Sequence, residues 1–283
     1  MAEPTALSLL HADLADALLP IVLAAARVQM QHFRAGTAVT TKADRTPVTE
    51  ADQASEALIV AGLAQIAPGI AVVAEEAMAA GGVPELGSGL GREFFLVDPL
   101  DGTREFIAGR AEFTINIALV RDGVPRFGTI YAPALGVLFV TLGDDHAVEA
   151  QMHPASKPER FADVGALTIR SRSAPPAGLV AVASRSHGSP GTDAFLGQYN
   201  VVRRTAAGSS LKFCLVAKGE ADIYPRVGPT CEWDTAAGQA ILAAAGGSVT
   251  TLDGAPLLYG KRAAQFRNPD YVAWGRGPLP PQH

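Results

Sequence analysis

A layered α/β (α+β) fold is predicted by three stretches of this sequence. The first is Glu93-Phe94-Phe95-Leu96-Val97-Asp98-Pro99-Leu100-Asp101-Gly102-Thr103. Its continuous apolar run reads as a strand buried on both faces. Pro99 cannot donate to a ladder and Gly102 permits a tight bend, so the strand ends there, with two carboxylates at its edge. The second stretch holds strands at Phe113–Arg121, Arg126–Tyr131 and Gly136–Leu142. Asp122-Gly123 and Pro133-Ala134-Leu135-Gly136 join them as hairpin connections, which makes an antiparallel meander. The third begins at Leu179, where short strands and helices alternate as in a layered α/β half.

The remaining elements follow in chain order. Leu7–Phe33 is rich in alanine and leucine at helical spacing and predicts a long packing helix. Gly36–Pro47 is polar, with Lys42, Asp44 and Arg45 in it. Thr49-Glu50-Ala51-Asp52 opens a second helix, because a threonine followed three positions later by an acid resembles a capping box. That helix runs to about Ala67 and stops at Pro68-Gly69. Ile70–Ala74 is a short buried strand that delivers Glu75-Glu76 at its end, and glycine-rich Ala79–Gly91 is a loop. Met152–Gly165 is polar and irregular, a seam between two lobes of one domain, about 1–165 and about 166–283. Beyond it lie strands at Leu179–Ala183, Tyr199–Arg204 and Ala221–Tyr224, and helices near Gly191–Leu196, Ser209–Lys218 and Asp234–Ala245. Gly275–His283 is a proline-rich tail that predicts fraying.

Composition narrows the function classes. The 283 residues are 48% hydrophobic and 18% charged, which suits a globular enzyme-sized chain. A net charge of −5 offers no basic footprint for nucleic acid or an anionic membrane. The two cysteines, Cys214 and Cys231, lack paired metal-ligand spacing, so structural zinc is not expected and a reducing cytoplasmic setting is. Met1–Asp13 has no basic n-region, and Ala15–Val28 is interrupted by Pro20 and too short to span a bilayer. No integral membrane segment is expected. Peripheral association at the inner membrane face stays open, as does the choice between monomer and homodimer.

Acids gather at element ends: Glu75, Asp98, Asp101 and Asp234, with Asp52 at its helix start. Unpaired buried carboxylates are costly, so a counter-charge is required, either arginine or a divalent metal. An all-oxygen set suits Mg²⁺ or Ca²⁺, and Mg²⁺ favours a few carboxylates with waters and substrate phosphate. Paired ions of this kind serve phosphoryl displacement by water. Two of these acids, and some neighbouring residues, also have a plainer use. Asp52 can be a capping residue and Asp234 a cap on the helix after it, while Thr103 can cap the helix that opens behind Gly102. His187 can be a loop histidine and Lys212 a solvated face charge.

Asp98-Pro99-Leu100-Asp101-Gly102-Thr103 and Trp233-Asp234-Thr235-Ala236-Ala237-Gly238, about 130 residues apart, resemble the two signatures of the lithium-sensitive inositol monophosphatase superfamily. Glu75-Glu76 and Pro47–Asp52 match its other landmarks in order, so the similarity runs from about Leu9 to Val272. Within it, Asp101–Ile107, Glu112–Leu119, Ser184-Arg185-Ser186-His187, Gly208–Cys214 and Tyr224–Thr230 resemble the CysQ-type 3′(2′),5′-bisphosphate nucleotidases. The resemblance implies an α-β-α-β-α sandwich. It also implies Mg²⁺-dependent hydrolysis of adenosine 3′,5′-bisphosphate to AMP and phosphate, with two or three Mg²⁺ ions bound. Inositol monophosphate and fructose 1,6-bisphosphate are the alternative substrates, and a non-catalytic metal or nucleotide sensor is the alternative of another class.

Carried over position by position, Glu75, Asp98 and the Leu100 carbonyl would hold one metal, and Asp98, Asp101 and Asp234 a second. Asp52 and Thr103 would polarise the attacking water, with Glu75 counted beside them as catalytic. Gly102 and Thr103 would cradle the scissile phosphate, and Glu75, Leu100, Asp101 and Asp234 would touch substrate as well as metal. Ser184, His187, Gly208 and Lys212 would face the nucleotide, Lys212 toward the phosphate that is not transferred. Arg104 stands where relatives often carry lysine, which keeps a cation at that place.

Overall fold

The structure, a computed structural model, describes residues 11–35, 39–41, 47–82, 92–184 and 189–277. Its first elements are α1 (His11–Ala35), β1 (Val39–Thr41), β2 (Pro47–Thr49), α2 (Glu50–Ile66), β3 (Ala71–Ala74) and α3 (Glu75–Ala79). The central strand β4 (Glu93–Asp101) leads into the short α4 (Thr103–Ile107). Then come β5 (Thr114–Arg121), β6 (Val124–Ala132), β7 (Val137–Gly143), β8 (His146–Gln151) and β9 (Leu167–Ile169). The rest is β10 (Leu179–Ser184), α5 (Pro190–Leu196), β11 (Val201–Ala207), α6 (Leu211–Ala217), β12 (Ile223–Arg226), α7 (Ala236–Ala244), β13 (Ser248–Thr251) and β14 (Tyr271–Trp274).

β3 to β9 form one seven-stranded sheet in sequence order, while β11-β10-β12-β14-β13 form a five-stranded one. β4 lies parallel to β3 and antiparallel to β5. Its alternate side chains go to opposite faces, and both faces are covered. Phe95 and Val97 pack with Leu14, Leu18 and Val22 of α1, and with Ile59 and Leu63 of α2. Phe94 and Leu96 pack with Phe213 and Val216 of α6 and Ile241 of α7. The outer face of the small sheet buries Ala181, Ile223 and Trp274 against Phe195 and Leu196 of α5. The layers therefore run α1/α2, large sheet, α6/α7, small sheet, α5, which is the expected sandwich.

Small residues set the spacing of the middle layer. A Cβ on Gly238 of α7 would sit 2.4 Å from the Phe213 ring of α6. Gly238→Ala is therefore expected to overpack this layer and cost about 1–3 kcal/mol, read as a lower Tm.

Several local expectations need correcting. Pro20 does not interrupt α1, because it is exposed on the helix surface, where a missing N–H and a slight bend are tolerated. No helix among the described residues is long and apolar enough to cross a membrane. The α7 helix starts at Ala236, so Asp234 is not its cap; Thr235 is. Strands β8, β9, β13 and β14 go beyond the elements expected: the first three are short and of mixed composition, and β14 is a four-residue apolar run, Tyr271–Trp274, buried throughout. Within the proline-rich tail, Gly275 N–H donates to the Asp222 carbonyl at 2.9 Å and Arg276 N–H to that of Arg172 at 2.9 Å. Gly275 and Arg276 are thus tied to the chain beside the small sheet rather than frayed. The glycine-rich loop at 83–91 lies outside the described residues, as do Lys42, Asp44, Arg45 and residues 278–283.

Candidate active site

In a regular strand, residues three apart point to opposite faces, so Asp98 and Asp101 should diverge. A β-bulge prevents this. Asp98 pairs with Asn116 but Asp101 with Thr114, so β4 carries one more residue than β5 over that span. Pro99, which has no N–H to give, sits inside the bulge. Its carbonyl accepts a 2.6 Å hydrogen bond from Gln29 of α1, a wholly buried side chain. The Leu100 N–H donates to Asp98 Oδ1 at 3.0 Å. Both acids then line one cleft of about 250 Å³, together with Glu75, Leu100, Gly102, Thr103, Ser184, Lys212 and Asp234.

Gly102 turns the chain out of β4 with φ +92, and any Cβ there would meet the Glu112 carbonyl at 3.1 Å. Only glycine combines that backbone with that approach. α4 opens at Thr103, and Phe106 beneath it packs at 4.9 Å on Phe113, which in turn lies 5.0 Å from Phe33. This aromatic cluster also holds Leu100, so α4 and the bulge rest on one apolar base.

Asp52 divides its two oxygens. Oδ2 accepts from the Thr49 N–H at 2.8 Å and from its hydroxyl at 2.5 Å, so the capping box is real. Oδ1 lies 3.3 Å from the Thr103 hydroxyl, which is also 3.3 Å from the Leu100 carbonyl. Capping and a role in the site are thus compatible, one oxygen for each.

Carboxylate oxygens of Glu75, Asp98 and Asp234 lie within 4.8 Å of one another. Asp101 stands beside this trio, its Oδ2 taken by the hydroxyls of Ser209 and Ser210 at 2.7 Å each and, at 3.5 Å, by Asn116. Burial pushes the Asp234 carboxyl up to about 8, and the charges of Asp101 and Glu75 add to that. The Cys231 N–H, donating to Asp234 Oδ2 at 2.8 Å, and the positive charge of Arg226 pull the other way without cancelling the shift. A buried Asp234 carboxyl that resists ionisation among neighbouring carboxylates fits a hard divalent cation in their midst, and Mg²⁺ is the ion such an oxygen set suits.

The cleft also carries cations. Lys212 is not a solvated face charge: it is buried, donates to the Ser209 carbonyl and lies 5.5 Å over the Tyr224 ring. Arg226 lines the same cleft, with one Nη donating to the Pro229 carbonyl at 3.0 Å and a buried Nε that has no hydrogen-bond partner. Ser184 ends β10 at the cleft wall. Gly208 does not line the cleft; it is set behind it, where a Cβ would lie 2.7 Å from the Glu112 carbonyl. His187 lies outside the described residues.

Sequence reasoning assigns no role to Gln29, Asn116, Ser209, Ser210 or Arg226. Asn116, Ser209, Ser210 and Arg226 do stand in motifs that carry the resemblance. Their partners are remote in sequence, so no local spacing reveals the contacts.

Known proteins show the same organisation. A model of the inositol monophosphatase family matches residues 11–274. The 3′(2′),5′-bisphosphate nucleotidase CysQ of Escherichia coli strain K12 is 41% identical over 233 residues, which is 82% of this chain and 87% of that protein. Its counterpart from Shigella flexneri is 44% identical over the same shares. Among solved structures, CysQ from Bacteroides thetaiotaomicron superposes with a TM-score of 0.78 at 32% identity, covering 96% of this chain and all of that one. The family match spans the bulge, the acidic trio and the Trp233–Gly238 motif, and on this ground the chain belongs to the inositol monophosphatase family.

Proposed function

We propose that this cleft hydrolyses the 3′-phosphate of adenosine 3′,5′-bisphosphate, giving AMP and phosphate, with Mg²⁺ held by Glu75, Asp98, Asp101, Asp234 and the Leu100 carbonyl. What carries the reading is that the acidic trio shares one cleft with Lys212 and Arg226. A bisphosphate needs a place for each phosphate, one at the carboxylates through a cation and one at basic side chains. The names of the nucleotidase relatives support the same substrate.

Bound Mg²⁺ supplies Lewis-acid polarisation of the phosphoryl group and lowers the pKa of water. The protein's own groups do the rest. Thr103 orients the attacking water through its hydroxyl, and Asp52 Oδ1 receives the proton that this hydroxyl passes on. Water adds to phosphorus as the bond to O3′ breaks, and O3′ takes a proton from solvent water to leave as the hydroxyl of AMP, while Asp52 later returns its proton to solvent. Gly102 and Thr103 face the scissile phosphate, Lys212 the other phosphate, and Ser184 and His187 complete the nucleotide end, with Gly208 set behind the cleft. Sequence supports one phosphatase domain with lobes at about 1–165 and 166–283, although β9 at the start of the second lobe still pairs with β8 of the large sheet. A cytoplasmic setting fits two free cysteines.

The test is phosphate release with Mg²⁺ from adenosine 3′,5′-bisphosphate, inositol 1-phosphate and fructose 1,6-bisphosphate. A kcat/KM preference of about a hundredfold for the nucleotide is expected, roughly 2.7 kcal/mol at the transition state. A flat profile or an inositol preference would sink the substrate assignment, and no release from any would favour a sensor.

A further inference from the structure

Glu75 is the first residue of α3, a five-residue helix with no fully buried residue, whose apolar anchor in the core is the half-buried Met78. One such contact three residues on does little to aim Glu75. Its N-cap residue, Ala74, offers no side-chain oxygen to the first-turn N–H groups, which a helix start must satisfy somehow. They are met from elsewhere. Glu56 of α2 accepts the Glu76 N–H on Oε2 at 2.7 Å and the Ala77 N–H on Oε1 at 2.8 Å. This is a two-pronged carboxylate cap delivered from 20 residues away. A carboxylate at a helix start is favoured by the helix dipole, and bonds to an ionised acceptor are the strong kind.

Glu56 lies one turn beyond Asp52 on α2, so both project from one face of that helix. Both are buried. One face of α2 thus reaches the Thr103 hydroxyl through Asp52 and the backbone that carries Glu75 through Glu56. We propose that Glu56 is a positioning residue: by clamping the first turn of α3, it holds the Glu75 carboxylate within reach of Asp98 and Asp234. This rests on the metal-site reading above, and it assigns Glu56 no contact with substrate or ion.

The test is direct Mg²⁺ binding to the full chain without substrate, by titration calorimetry, with folding checked by circular dichroism. Glu56→Ala is expected to weaken Mg²⁺ binding about tenfold or more, the usual effect of removing a group that orients a ligand. Glu56→Gln keeps the shape and one acceptor oxygen, so it should weaken binding less and serves if the alanine variant does not fold. Ser55→Ala is the control, because the buried Ser55 hydroxyl on the same helix has no hydrogen-bond partner, and binding should not change. In a Glu75→Gln background, Glu56→Ala should have no further effect, since the residue it aims is already altered. A purely structural role would weaken binding equally in both backgrounds, and that result overturns the proposal. If the unsubstituted chain takes up no Mg²⁺, the metal reading falls and this inference with it. If it does, and a folded Glu56 variant binds as tightly, the inference alone falls.

Discussion

Asp98→Asn is expected to lose about 10³-fold or more in kcat/KM, because the cation it helps to hold contributes several kcal/mol to the transition state and each 1.36 kcal/mol is tenfold. Asp234→Asn should lose activity to a similar extent. It should also do something that an ordinary core substitution does not, namely stabilise the metal-free protein. The Asp234 carboxyl sits at about 8 against an ordinary 3.8, driven by burial and then by Asp101 and Glu75. A group whose folded pKa is raised adds stability that is complete below its unfolded value and lost as pH climbs through its folded value. In chelator, the Tm of the unsubstituted protein should therefore fall between about pH 4 and pH 8. Asparagine carries no charge there and can still accept the Cys231 N–H, so the variant should lose this slope and melt higher at about pH 8. Added Mg²⁺ should raise the Tm of the unsubstituted protein and not that of the variant. A metal-free variant that melts lower at that pH would show that the acids do not repel one another in this way.

Asp52→Asn should lower kcat by about 10²–10⁴-fold, the range for removing a positioned acid–base group, while leaving Mg²⁺ binding in place. The asparagine is isosteric with the aspartate, and its remaining oxygen can keep one bond of the capping box, so the helix start should survive. What it cannot do is receive a proton at the Oδ1 position, 3.3 Å from the Thr103 hydroxyl. Thr103→Ala removes the hydroxyl itself, and the double variant should be little worse than the worse single one, because residues acting as a unit are not additive. Loss of Mg²⁺ binding in Asp52→Asn, or strict additivity with Thr103→Ala, would contradict this pairing.

Local pattern was enough for much of the molecule. The apolar run of β4, the Thr49–Asp52 capping box and the Asp122-Gly123 hairpin each combine a residue type with a backbone need. Asp122 and Gly123 take φ of 51 and 75, as a tight turn of that kind demands. The short strands β8, β9 and β13 escape such a reading because their mixed composition gives no apolar run, whereas β14, Tyr271–Trp274, is an apolar run too short to be told from loop without its neighbours. The N-cap of α7 falls one residue later than the pattern suggests, because Asp234 first completes the tight turn Glu232–Asp234 and only then hands over to Thr235.

By itself, the sequence determined the kinds of element, the acids that stand at their ends and the family whose signatures those acids complete. Tertiary structure alone decided which way the acids face. The bulge at Pro99 brings Asp98 and Asp101 to one cleft. Ser209 and Ser210 reach Asp101 from 108 and 109 residues away, and Glu56 holds the turn that carries Glu75. Such contacts depend on how two sheets and the helices between them pack. Periodicity along a chain reports the face on which a side chain lies, and packing between distant segments decides what that side chain meets.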